Sequence, residues 1–297
     1  MTPRLGSLLT AMVTPFESDG SLDLEGAARL AQFLVEQGSD GLVVAGSTGE
    51  GSSLSDEERL ELFAAVAASV TVPVIAGTSS ADTARSVDLT KVVASTGVSG
   101  VLATTPAYAR PSQAGLAGHL GAVADATHLP VMLYDIPSRT GRKIAAATTV
   151  ALVEAHPNIV ALKDASGDLP GAAHVKATLG DRLDLYSGDD SVTLPFLAVG
   201  GVGLVSVAAH WAGPEFSLMI QSALKGDWDG ARALNERLAA SYAFESTDVY
   251  PNPMPARAAL RALGVEVGEC RAPHARGDAT LHEAAKSVVD ALLASRG

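Results

Sequence analysis

The sequence predicts a parallel (β/α)8 barrel, a TIM barrel, followed by a helical extension. Three observations point there: eight short apolar runs that each lead into a polar or glycine-rich turn and a helix-period segment, the loss of that pattern past about residue 225, and a lysine that closes the sixth run. The first run, 8–13, ends before Thr14-Pro15, and the second, 41–46, ends on Gly46. The third, 73–77, lies between Pro73 and Gly77, the fourth, 100–105, runs into Pro106, and the fifth, 131–136, runs into Pro137. The sixth, 159–163, is Ile-Val-Ala-Leu-Lys; the seventh, 183–187, precedes Gly188; the eighth, 203–208, opens on Gly203.

Helix starts carry their own signals. Ser55 followed by Glu58 reads as a capping box after the second strand. Asp189-Asp190 reads as a pair of caps at the positive end of the helix after the seventh strand, and no third ligand at a usable spacing supports a metal there. Beyond residue 225 the chain reads as helices over 229–242, 255–263 and 280–295, with breaks at Pro251-Asn252-Pro253 and Pro273. The expected division is a barrel over 1–225 that carries the active site and a helical extension over 226–297 packed on it.

Composition narrows the function. A chain of 297 residues, 47% hydrophobic, can bury a large core, and it holds no apolar run of membrane-spanning length. No signal peptide is legible at the start, so a cytoplasmic protein is expected. A net charge of −12 argues against nucleic acid. The single cysteine, Cys270, excludes an internal disulfide, and the seven scattered histidines give no metal-ligand spacing, so they read as surface or satisfied core residues. Gly200-Gly201-Val202-Gly203 precedes a strand and lacks the order of a dinucleotide loop. No metal, flavin or nucleotide is expected.

Of six lysines, only Lys163 stands at the end of a barrel strand. Burial disfavours an ammonium ion, and a lysine held neutral near physiological pH is the nucleophile that Schiff-base chemistry needs. A lysine that reaches water or pairs with Asp164 is the plainer alternative for that residue alone. Three loops open on the same barrel face: Gly46-Ser47-Thr48-Gly49-Glu50-Gly51, Thr105-Pro106-Ala107-Tyr108, and Tyr134-Asp135-Ile136-Pro137-Ser138-Arg139-Thr140-Gly141. The first can converge amide N–H groups and two hydroxyls on a carboxylate.

Together with Ala11-Met12-Val13-Thr14-Pro15, Lys163-Asp164-Ala165, Ser187-Gly188-Asp189-Asp190, Gly203-Leu204-Val205-Ser206-Val207 and Pro251-Asn252-Pro253-Met254-Pro255, these motifs give the chain an end-to-end resemblance. It resembles the pyruvate-dependent class I aldolase family that contains dihydrodipicolinate synthase and N-acetylneuraminate lyase. Arg139 within Ser138-Arg139-Thr140-Gly141 looks like the synthase branch, and Ser47 looks like the lyase branch; the arginine weighs more because serine keeps the hydroxyl that synthases carry on threonine.

The resemblance implies a 4-hydroxy-tetrahydrodipicolinate synthase activity on the lysine and diaminopimelate route. Lys163 forms an imine with pyruvate, and Tyr134, Ser47 and Tyr108 form a proton-relaying hydroxyl triad. Ser47 and Thr48 hold the pyruvate carboxylate, Arg139 grips the carboxylate of aspartate semialdehyde, and Gly188 and the Val205 carbonyl line the pocket. It implies a homotetramer, a dimer of dimers, in which Tyr108 reaches into the neighbour's site. Two other readings stay open: a sister aldolase, lyase or dehydratase acting on another aldehyde or sugar acid, and a non-catalytic keto-acid-binding barrel. Finally, where lysine-inhibited members of the family carry an asparagine, a glutamate and an aromatic residue, this chain carries Ala81, Arg85 and Ala107. Feedback inhibition by lysine is therefore expected to be absent.

Overall fold

The computed structural model describes residues 4–296. Its first half alternates β1 (Leu8–Ala11), α1 (Leu24–Glu36), β2 (Gly41–Val44), α2 (Asp56–Ser69), β3 (Val74–Gly77), α3 (Thr83–Val93), β4 (Gly100–Thr104) and α4 (Gln113–Asp125). The second continues with β5 (Val131–Asp135), α5 (Pro137–Thr140), α6 (Ala146–Ala155), β6 (Ile159–Asp164), α7 (Leu169–Leu179), β7 (Asp184–Ser187), α8 (Thr193–Ala198), β8 (Gly203–Ser206) and α9 (Ala209–Leu224). Four helices follow: α10 (Trp228–Arg237), α11 (Ala239–Phe244), α12 (Met254–Ala262) and α13 (Ala279–Ala294). The eight strands pair in chain order, all parallel, and β8 closes on β1. The barrel is the one expected.

Strand side chains alternate between the barrel interior and the helix layer. Leu9, Val43, Ile75, Leu102, Met132 and Val205 pack together inside, while neighbours such as Leu8, Leu42, Val44, Val74 and Leu204 pack in the cluster that includes the helices. On β5 and β6 the same alternation puts Leu133 and Leu162 in the outer cluster and Tyr134 in the inner one. Tyr134 and Lys163 are register partners, and Lys163 is also opposite Tyr186 of β7.

Most strands end one or two residues before the apolar runs do: β1 stops at Ala11, not Val13, and β8 at Ser206, not Ala208. Apolarity marks burial, and most of these residues, Met12, Val13, Ile136 and Ala208 among them, stay buried after the ladder ends. The capping box is present: the Ser55 hydroxyl accepts from Glu58 N–H at 3.2 Å, and Glu58 Oε2 accepts from Ser55 N–H at 2.9 Å. Asp189 caps its turn by accepting from Ser191 N–H, but Asp190 turns inward to Ser206, Val207 and Ala208, which is not a cap of its own helix. The helix expected over 229–242 is two, α10 and α11, meeting at the fully buried Leu238.

The helices after α9 fold back over the barrel mouth. Arg257 of α12 donates to Thr14 O at 2.6 Å and to Glu50 Oε1 at 2.6 Å, and Arg271 donates to Glu58 Oε1 at 2.6 Å. Both guanidinium groups lie over the Phe16 ring. Among the described residues no helix is long and apolar enough to cross a membrane.

Candidate active site

Lys163 is the last inward-facing residue of β6 and is 4% exposed. Its Nζ lies 4.2 Å from the centroid of the Tyr134 ring. Burial lowers its pKa to about 7, with Arg139 acting in the same direction and the negative charge of Asp190 opposing them. Near neutrality, then, a large share of Lys163 is free amine. The other lysines are half-buried or exposed, and four of them meet a carboxylate or carbonyl: Lys91 with Asp88, Lys143 with Asp168, Lys176 with Asp181 and Lys286 with Asp290.

Tyr134, from β5, is 3% exposed. Burial drives its hydroxyl up to about 12, while Arg139 and a hydrogen bond with Ser47 pull the other way. It is therefore a neutral phenol at physiological pH, able to give a proton and take one back through a hydroxyl partner. Gly188 lies directly beside the lysine: a Cβ there would come within 3.0 Å of Lys163 Cγ. Any side chain at this position would push on the lysine stem. Val205 is fully buried and belongs to the inner cluster.

A cleft of about 460 Å³ opens over the carboxyl ends of the strands, lined in part by Gly46, Ser47, Thr105, Ile136, Arg139 and Thr140. It also reaches Arg59, Ala81, Arg85, Ala107 and His274. Arg139 sits in the short helix α5, started by Pro137, whose fixed φ suits the first helical position. Its Nη2 donates to Asn252 O at 3.4 Å, and Asn252 Nδ2 donates to the Thr48 hydroxyl at 3.0 Å. Lys163, Tyr134, Gly188, Ser47 and Arg139 thus meet at one end of the barrel, with Thr48 tied in through Asn252. Tyr108 does not join them within one chain: it is 97% exposed, on a loop where its backbone is left-handed at φ 69°.

Sequence reasoning quoted Asn252 in a motif but gave it no role. It is 7% exposed, and its Oδ1 is buried with no hydrogen-bond partner. Glu50 was read as part of a turn, yet it is 2% exposed, holds φ 52° and accepts from Arg257 and from Arg271 N–H. Both contacts span more than 200 residues of sequence, and no local pattern encodes them. The histidines divide: His210 is satisfied at both ring nitrogens, by Val13 N–H and Val207 O, while buried His119 leaves Nε2 without a partner. No cluster of three or more His, Cys, Asp or Glu able to hold a metal occurs among the described residues.

Residues 4–292 match the dihydrodipicolinate synthetase family. A relative from Moorella thermoacetica, a 4-hydroxy-tetrahydrodipicolinate synthase, is 48% identical over 270 residues, 90% of this chain and 91% of that protein. One of the same name from Acidothermus cellulolyticus is 47% identical over 287 residues, 95% of this chain and 90% of its own. The crystal structure of DHDPS from Cyanidioschyzon merolae with lysine bound superposes with a TM-score of 0.94 at 40% identity, covering 98% of this chain and 99% of that one. A dihydrodipicolinate synthase structure from Bacillus anthracis gives 0.93 at 38% identity, covering 97% and 99%.

Proposed function

The chain belongs to the dihydrodipicolinate synthetase family, and from that premise we propose that it condenses pyruvate with L-aspartate semialdehyde through an imine on Lys163. The observation that carries this is the lysine itself: buried, inward-facing, its pKa lowered to about 7, and packed on a tyrosine hydroxyphenyl ring. The free amine attacks C2 of pyruvate; loss of water gives an imine whose protonated nitrogen draws electrons from C3. A C3 proton leaves, and the resulting enamine carbon bonds to the aldehyde carbon of the semialdehyde. The substrate's own amino group then attacks C2, closes the ring and releases Lys163 as free amine.

Tyr134 moves the protons of imine formation and release, with Ser47 as its hydroxyl partner. Ser47 and Thr48 receive the pyruvate carboxylate, with Gly188 and Val205 closing the pocket around the imine. Arg139, on the cleft wall, takes the semialdehyde carboxylate by a bidentate pair that a lysine could not reproduce. Tyr108, fully outside its own barrel, completes the triad of a neighbouring copy in a homotetramer arranged as a dimer of dimers. Residues 1–225 form the catalytic barrel and 226–297 a brace on it, and the enzyme works in the cytoplasm.

Borohydride added with pyruvate tests the first half, and turnover with the semialdehyde tests the second. The expected result is one reduced adduct, mapped by mass to Lys163, together with pyruvate- and semialdehyde-dependent product. An adduct on another lysine would end the Schiff-base reading. A Lys163 adduct without semialdehyde turnover would leave a sister aldolase, the reading that Ser47 and Ala107 keep open.

A further inference from the structure

A hydroxyl can accept two hydrogen bonds but has a single hydrogen to donate, and where that hydrogen goes decides what the hydroxyl can hold. Three buried threonines near the carboxyl ends of the strands direct theirs into the fold. Thr14 donates to Gly49 O at 2.6 Å, Thr105 to the Thr140 hydroxyl at 3.0 Å, and Thr140 to Ile136 O at 3.0 Å. Thr48 differs. It is 3% exposed, and its hydroxyl is met by Asn252 Nδ2 at 3.0 Å. An amide nitrogen donates and does not accept, so Thr48 Oγ1 is the acceptor in this bond, and no acceptor among the described residues takes its hydrogen. That hydrogen is free for a ligand.

Asn252 is held in place by its main chain. Its N–H donates to the Ser246 hydroxyl at 3.3 Å, and its carbonyl accepts from Arg139 Nη2 at 3.4 Å. Pro251 and Pro253 on either side carry no N–H group, so the donor that this segment turns on Thr48 is a side-chain amide. Asn252 Oδ1 is buried without a partner, which leaves the bond to Thr48 as the one that fixes the amide. An aspartate has nearly the same shape. It would reverse the bond, however, because a carboxylate only accepts and Thr48 would have to give it the hydrogen. Of the two residues of that shape, asparagine is the one that keeps the hydrogen available.

We propose that Asn252 is a positioning residue for pyruvate: by donating to Thr48 it fixes the direction of the threonine hydrogen and aims it at the substrate carboxylate. The proposal rests on the reading of Thr48 as a carboxylate donor and of Lys163 as the imine-forming residue. Wild-type trapping with pyruvate and borohydride is therefore established first. Its absence would end the Schiff-base reading, and pyruvate binding to the same variants would then be followed by calorimetry. The quantity measured on the full chain is the pyruvate concentration for half-maximal trapping, taken as a ratio to wild type at each pH so that the titration of Lys163 cancels.

Thr48→Val should raise that concentration about tenfold, the loss of one hydrogen bond to a charged group. Asn252→Asp should raise it about 30-fold near pH 8, and only about threefold near pH 5, where a protonated acid can donate to Thr48 again. Asn252→Ala should raise it about threefold with no pH dependence, and should add nothing further when combined with Thr48→Val. KM for the semialdehyde should change less in the Asn252 variants, because the carbonyl that meets Arg139 belongs to the main chain. An unmoved ratio in Thr48→Val would fell the carboxylate reading and the proposal with it. A raised ratio there, together with a pH-independent Asn252→Asp that matches Asn252→Ala, would overturn the proposal alone and leave Asn252 a structural residue. Should Asn252→Asp fail to fold, the Asn252→Ala, Thr48→Val cycle decides: additive losses overturn the proposal, and a double variant no worse than Thr48→Val upholds it.

Discussion

Lys163 and Arg257 are cations buried to almost the same degree, 4% and 5% exposed, at the same end of one barrel. Their surroundings differ. Arg257 meets Glu50 at 2.6 Å and donates to the carbonyls of Thr14 and Val267 at 2.6 and 2.7 Å. Lys163 rests on an aromatic ring, and the carboxylate that favours its charge, Asp190, is already occupied by three donors. The comparison teaches that burial alone does not make a reactive cation. A buried guanidinium with a carboxylate and carbonyls is a fastening; a buried ammonium without them gives up its proton and becomes a nucleophile.

Lys163→Met breaks the contrast most severely. Turnover and borohydride-trapped adduct should be lost, at least about 10⁴-fold in rate. Stability should move the other way. Folding lowers the lysine pKa from about 10.4 to about 7, so between those values the unfolded chain binds more protons and stability rises with pH. Below about pH 7 both states hold the proton and the full cost of burying it remains. Met removes that cost, so the variant should be more stable by about 3–5 kcal/mol at neutral pH and should lose the upward slope. Chemical denaturation at pH 6, 8 and 10 measures both; a destabilised variant with an unchanged slope would mean Lys163 is charged and satisfied in the native protein.

Arg257→Ala is the matching test on the other cation. It strands Glu50 with Arg271 N–H as its remaining donor, at 2.9 Å, and a buried charge that loses its partner costs about 3–5 kcal/mol. The melting temperature should fall by about 10 °C. A Glu50→Gln, Arg257→Met double variant should recover part of that loss, since the glutamine amide carries no buried charge and can still accept from Arg271 N–H. If the single variant melts like wild type, the pair is not a fastening.

How far each half could be read in advance follows from the range of its signals. The barrel and Lys163 were legible because period-two apolarity and a charge at a strand end are local. Tyr134, Ser47, Arg139 and Gly188 were legible through motifs of a few residues, and each stands at the expected mouth. Glu50 with Arg257 and Asn252 with Thr48 were not legible, because each pair joins the barrel to the chain after α9. Asp190 was misread for a similar reason: adjacent aspartates before a helix look like caps, and only β8 and the turn after it show which one turns inward.

Arg139→Ala sharpens the comparison with a third cation, exposed and, among the described residues, held by Asn252 O at 3.4 Å. Loss of a charge-assisted bidentate contact should cost about 2–4 kcal/mol in kcat/KM for the semialdehyde and leave pyruvate trapping nearly intact. Because Arg139 lowers the Lys163 pKa, the acid limb of trapping should also move slightly upward. Equal losses for pyruvate and semialdehyde would place Arg139 on the wrong substrate.

The smallest expected effect is on a fourth cation, Arg85, which is exposed and paired. Its Nε and Nη2 meet Asp56 at 3.0 and 3.1 Å, and it lines the cleft together with Ala81 and Ala107. A free lysine molecule entering there would bring an α-ammonium group to a guanidinium whose carboxylate is already engaged, with two methyl groups in place of polar or aromatic contacts. Each missing charged hydrogen bond weakens binding by about 1.5–3 kcal/mol, which over two or three contacts is several orders of magnitude in affinity. Millimolar L-lysine should therefore leave both turnover and melting temperature unchanged. The relative from Cyanidioschyzon merolae, at 40% identity and solved with lysine bound, is the natural positive control for lysine binding. Sub-millimolar inhibition of this enzyme would mean that Asp56 leaves Arg85 to meet the ligand, and Arg85→Ala should then tighten the inhibition.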